Sequence, residues 1–146
     1  MGHAHQFDAY EDNEFCSGAE YGAYYMRIDD NYTFSAAAYA AKMTSEYDVF
    51  LVENPVTPVG QVLPLADVRL IAQKAASLGT ILIVDEAYGE YMPFSESAIN
   101  LVPEFPNIIV TRSFSKGFGM AGIRLGYAVS TAPLEEGSEE DNYYNI

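Results

Sequence analysis

The chain has 146 residues, 49% of them hydrophobic and 19% charged, which is enough apolar material for one folded domain and unlike a disordered polymer. Against seven basic residues stand 21 acidic ones, and the net charge of −14 would repel a phosphate backbone, so nucleic-acid binding is not expected. No apolar run approaches the roughly 20 residues of a membrane span, no secretory signal is visible, and a lone Cys16 excludes an internal disulfide, so the expectation is a cytoplasmic protein without membrane contact.

In chain order, residues 1–6 read as a flexible start. The pair His3 and His5 is expected to be a terminal remnant rather than a metal site, and no metal is expected elsewhere. Residues 24–28 suit a short strand, and the Ala-rich stretch 33–45 a helix. The β-rich run 47–53 (YDVFLVE) leads into a Pro/Gly loop at 54–60. A helix is predicted over 64–78, with Pro64 in its first turn and Gly79 as its stop. Its apolar face would be Leu65, Val68, Leu70, Ile71, Ala75 and Leu78.

Residues 80–84 (TILIV) form a buried-type strand ending at Asp85, 97–102 a short helix, 107–111 (NIIVT) another strand, and 125–130 the last one. The acidic stretch 131–146 reads as a solvated tail. Apolar runs alternating with helices indicate an α/β layer with a mainly parallel sheet. In such sheets ligands gather beyond the carboxyl ends of the strands, where Asn54, Asp85 and Ser113 all fall. Three of the seven cations, Arg112, Lys116 and Arg124, lie between 112 and 124, a cluster that fits either an anion site or chance.

The most specific stretch is 113–126, SFSKGFGMAGIRLG: a lysine after Ser-Phe-Ser and an arginine eight residues later across a Gly-rich turn. Asn54-Pro55-Val56-Thr57-Pro58-Val59-Gly60, Asp85-Glu86-Ala87-Tyr88 and Tyr127 after Gly126 accompany it in order. Together they resemble the lysine signature, N-P-x-x-P-x-G loop, D-E-x-Y segment and R-x-G-Y ending of the class I/II aminotransferases. Within that family the look of 84–91 and 111–127 is similar to the histidinol-phosphate aminotransferase branch. Residues 6–11 (QFDAYE) resemble the family's P-x-F/Y-x-x-Y segment without its proline.

The resemblance implies a fold-type I enzyme with pyridoxal 5'-phosphate (PLP) as cofactor and a three-layer α-β-α architecture. It covers residues 7–130 and implies the central part of the large PLP-binding domain, without the C-terminal small domain, the Gly/Ser phosphate loop or the substrate-carboxylate arginine. Lys116 would form the Schiff base and move protons. Asp85 would keep the pyridine nitrogen protonated, its alternative being a helix cap or a surface carboxylate. Tyr88 and Asn54 would hydrogen-bond the ring's phenolic oxygen, or serve as turn residues. Ser113 and Arg124, with Ser115 as a further candidate, would bind the phosphate. Phe7 would stack on the ring or be a frayed terminal hydrophobe. Arg112 has no counterpart in this pattern and reads as a surface residue.

The implied reaction is amino-group transfer from an amino acid to a 2-oxo acid, in a homodimer when the protein is complete. PLP-dependent decarboxylation or lyase chemistry, and a noncatalytic truncated remnant, stand as alternatives.

Overall fold

The computed structural model describes residues 1–3, 18 and 20–131. Among the described residues are six strands: β1 (Gly2–His3), β2 (Ala23–Tyr24), β3 (Val49–Glu53), β4 (Ile81–Asp85), β5 (Ile108–Ser113) and β6 (Gly126–Val129). The described residues also include two α-helices, α1 (Ala36–Lys42) and α2 (Leu65–Leu78). The main sheet has the order β3-β4-β5-β6; β3, β4 and β5 run parallel, and β6 pairs antiparallel at the edge. The expected α/β class with a mainly parallel sheet is therefore present.

Alternating burial along β4 and β5 explains the layers, because successive side chains leave opposite faces. Phe50, Val52, Leu82, Val84, Ile108 and Val110 point to one face and join Tyr39 of α1 and Val68, Ile71, Ala72 and Ala75 of α2 in a single core. Each large apolar side chain buried there contributes about 1.5–3 kcal/mol. On the opposite face Ile83, Ile109 and Thr111 are half-buried, Val49 is exposed and Leu51 is buried, and the described residues supply one of the two expected helical layers.

Helix α2 follows its prediction closely. Gly79 ends it in the left-handed region, with φ 70°, and donates to the carbonyls of Ala75 and Ala76. At its start the Leu65 amide donates to Glu96 Oε2 at 2.6 Å, a cap from a distant turn. Leu70, expected on the apolar face, is 42% exposed; Ala72 takes its place, completing the 68/71/72/75 stripe that a 3.6-residue period selects.

Other segments differ from expectation. Helix α1 occupies only the middle of 33–45, starting where Ser35 Oγ accepts from the Ala38 amide. The predicted strand 24–28 pairs only at Ala23–Tyr24, and Ile28–Asp30 is a 3-10 turn. The 97–102 helix is a 3-10 helix over Ala98–Leu101. Residues 1–3 pack into the fold: β1 pairs parallel with β2, the Met1 amine donates to the Val49 carbonyl, the Leu51 amide donates to the Met1 carbonyl, and His3 is fully buried against Phe34. His5, Cys16 and the 132–146 part of the acidic tail lie outside the described residues.

Candidate functional site

The carboxyl ends of β3, β4 and β5 lie side by side, and the site grows from them. Glu53 registers with Asp85, and Asp85 with Thr111. One residue beyond β3, the Asn54 amide donates to the Asp85 carbonyl at 2.9 Å. Asp85 belongs to the bare-face set with Ile81 and Ile83, so its carboxylate leaves the sheet on the side away from the helices. Oδ1 accepts from Thr111 Oγ1 at 3.0 Å and from the Ala87 amide at 2.9 Å. Burial pushes the Asp85 carboxyl above its ordinary value, and those two donors oppose the shift. A carboxylate placed this way gains from a nearby cation, since burial has weakened its hydration.

Beyond β5 the chain makes a tight turn. Ser113 Oγ accepts from the Ser115 amide at 3.0 Å, Gly119 donates to the Lys116 carbonyl, and Met120 to the Phe114 carbonyl. The turn presents Lys116 with its Nζ 5.3 Å from the centre of the Tyr88 ring, a cation–π placement. Tyr88 follows Asp85 by three residues, so the lysine turn and the segment after β4 meet. A cavity of 390 Å³ opens beside Tyr88, walled by Pro55, Val56, Pro58, Val62 and Tyr91; neither Asp85 nor Lys116 lines it. A larger one, 560 Å³, runs over Val49, Leu51 and Ile83 of the bare face up to Thr111, the hydroxyl that holds Asp85.

The predicted residues do not all converge. Asp85, Asn54, Tyr88, Lys116, Ser113 and Ser115 gather at the strand ends. The Asn54 side chain is fully buried and clamps its own loop: Oδ1 accepts from the Leu63 amide at 2.9 Å and Nδ2 donates to the Leu63 carbonyl at 3.4 Å. That leaves one N–H of an amide that has two. Arg124 is exposed, in the left-handed region with φ 51°, and its Nη1 donates to the Ala121 carbonyl. Phe7 lies outside the described residues.

Sequence reasoning missed Thr111 and misplaced Arg112. Thr111 could have been found from strand register, since it stands opposite Asp85 on the same face. Arg112, expected at the surface, is buried at 9% exposure because the fully buried Glu86 holds it. Its Nε donates to Glu86 Oε2 at 2.9 Å, Nη2 lies 2.7 Å from the same oxygen and bonds Ser97 Oγ, and Nη1 reaches Glu90 Oε1 at 3.1 Å. Burial raises the Glu86 carboxyl above its ordinary value, opposed by Ser97, the Ala98 amide and Arg112. The signal was there: a charge of each sign at the same level on neighbouring strand ends.

The chain is similar to known proteins in sequence and in fold. Over 110 residues the chain is 41% identical to the histidinol-phosphate aminotransferase of Halorubrum lacusprofundi, covering 75% of this chain and 29% of that protein. Over 118 residues it is 36% identical to a threonine-phosphate decarboxylase from Sinorhizobium sp, covering 80% of this chain and 35% of that one. The chain thus spans about a third of the length of the curated relatives it matches. In fold it is similar to the histidinol-phosphate aminotransferase of Clostridium acetobutylicum, with TM-score 0.85 at 21% identity over 99% of this chain and 43% of that one. The Sinorhizobium meliloti histidinol-phosphate aminotransferase, solved in complex with pyridoxal-5'-phosphate, gives 0.79 at 24% over 99% and 39%. The sequence profile of aminotransferase class I and II matches residues 5–140, and the chain belongs to that family.

Proposed function

We propose that residues 7–130 are the central part of the PLP-binding domain of an aminotransferase that moves an amino group from an amino acid to a 2-oxo acid. The observation that carries this reading is the Lys116 amine over the Tyr88 ring, beside strand ends where Asp85 stands half-buried and oriented. Desolvated Asp85 suits a cationic ring nitrogen, and the turn hydroxyls suit a phosphate, so the residues present fit the cofactor. When bound, PLP supplies an aldehyde for an amine and a protonated ring that withdraws electrons from the substrate's α-carbon.

The chain's own residues divide the remaining work. Lys116 Nζ would offer the amine that holds the cofactor and, as a free amine, would carry a proton between the substrate and cofactor carbons. Asp85 holds the proton at the ring nitrogen; Thr111 and the Ala87 amide fix its orientation. Tyr88, with the second N–H of Asn54, is assigned to the phenolic oxygen. Ser113 and Ser115 are assigned the hydroxyls that a phosphate requires, and Arg124, which here donates to the Ala121 carbonyl, is assigned the guanidinium. Phe7 is assigned ring stacking from its sequence position alone.

A second reading, decarboxylation on the same apparatus, is favoured by the 36% identity to threonine-phosphate decarboxylase. A homodimeric, cytoplasmic complete protein is part of the proposal. The test is incubation with PLP and then with single amino acids. Accumulation of pyridoxamine phosphate, lost in Lys116→Ala, supports amino transfer. Release of carbon dioxide instead supports the second reading, and failure of wild type to retain PLP leaves a noncatalytic chain.

A further inference from the structure

Asp85 and Glu86 are neighbours in sequence, yet the pleat sends them to opposite sides of the sheet. Asp85 faces the bare side, and Glu86 goes down into the helical side, where it meets Arg112. Arg112 obeys the same alternation one strand over: Thr111 and Ser113 are half-buried on the bare side, and Arg112 is buried behind them. The guanidinium therefore ties the end of β4 to the end of β5 from the rear.

Two glycines show how closely the tied segments approach. A Cβ on Gly89 would lie 2.5 Å from the Arg112 guanidinium carbon. A Cβ on Gly117, the residue after Lys116, would lie 2.6 Å from Cβ of Glu90, whose carboxylate Arg112 also holds. A continuous contact thus runs from Arg112 through Glu90 to the lysine turn, while Glu86 anchors the segment bearing Asp85 and Tyr88.

We propose that Arg112 is a positioning residue which, through Glu86 and Glu90, sets the Lys116 turn against the Asp85–Tyr88 segment. The staple touches none of the groups assigned to the cofactor and acts through the backbone that carries them. This inference rests on the functional reading for its purpose, but its geometry can be tested separately.

Two variants are compared with wild type: Arg112→Lys, which keeps the charge and loses the fork, and Glu90→Ala, which removes the carboxylate that Arg112 holds while keeping the Cβ that lies against Gly117, and leaves the buried Arg112–Glu86 pair in place. Hydrogen exchange is read at Gly119 and Met120, whose amides close the turn, and at Leu82 and Val110 in the core strands. The expected result in Glu90→Ala is at least tenfold faster exchange at Gly119 and Met120 with the core amides unchanged. Arg112→Lys is expected to show the same selectivity if it folds. PLP trapped with borohydride at Lys116 should need about tenfold more cofactor for half-yield, while the yield at saturation is retained. Unchanged turn amides, or acceleration of turn and core together in Glu90→Ala, would overturn the proposal. Should wild type trap no PLP, the functional reading fails, and the exchange experiment still decides the staple.

Discussion

Replacing Arg112 by Met removes the guanidinium and keeps most of the stem volume, so the perturbation is electrostatic. Glu86 is fully buried and would keep its Ser97 and Ala98 donors but lose its counter-ion, whereas the more exposed Glu90 can turn to water. Breaking a buried pair by removing one partner costs about 3–5 kcal/mol. The double variant Arg112→Met/Glu86→Gln no longer buries an uncompensated charge, and coupling in contacting pairs returns about 2 kcal/mol of that loss. The pH dependence has a definite sign. A carboxyl raised above its unfolded value binds its proton more tightly when folded, so the stability it allows is full at low pH and falls as pH rises through the folded value. The single variant's deficit is therefore largest at neutral pH and shrinks on acidification toward the ordinary carboxylate value of 4.5. Urea unfolding at several pH values, with midpoints compared at constant slope, reads all three quantities. A single variant within 1 kcal/mol of wild type, or a double variant as unstable as the sum of its parts, would refute the reasoning.

Three further outcomes are expected. Asn54→Ala strands the buried Leu63 amide and carbonyl and should cost about 1–3 kcal/mol in denaturant unfolding, even without cofactor. Tyr39→Phe removes a buried hydroxyl that bonds both the Met1 and Leu51 carbonyls; about 1–2 kcal/mol should be lost, with faster hydrogen exchange at the Leu51 amide. Asp85→Asn removes a desolvated charge while its Oδ1 can keep both hydrogen bonds. The cofactor-free variant should melt above wild type at neutral pH, with the difference vanishing as pH falls toward 3.8.

Much of this organisation was legible because the parallel strands are continuous apolar runs and α2 has a clean stripe with Pro64 and Gly79 at its ends. The position of the site was legible for the same reason: once β3, β4 and β5 are assigned, Asn54, Asp85 and Ser113 fall beyond their carboxyl ends. What the sequence concealed is of a different kind. The embedded start depends on Met1 bonding the edge of β3, a partner 48 residues away that no local pattern announces. Arg112 reads as surface because arginine seldom goes inside, and only the parity of two neighbouring strands shows that it meets Glu86. The roles of Asn54 depend on rotamers: the buried amide closes the 54–63 turn, a use that residue type and spacing do not reveal.

The central claim is that Lys116 is the amine that holds pyridoxal phosphate, and borohydride trapping followed by peptide mapping tests it most directly. The account predicts one phosphopyridoxyl group on Lys116, absent from Lys116→Ala, with Lys42 and Lys74 unlabelled at the same cofactor concentration. An adduct spread over all three lysines, or one that survives the Lys116 substitution, would contradict it.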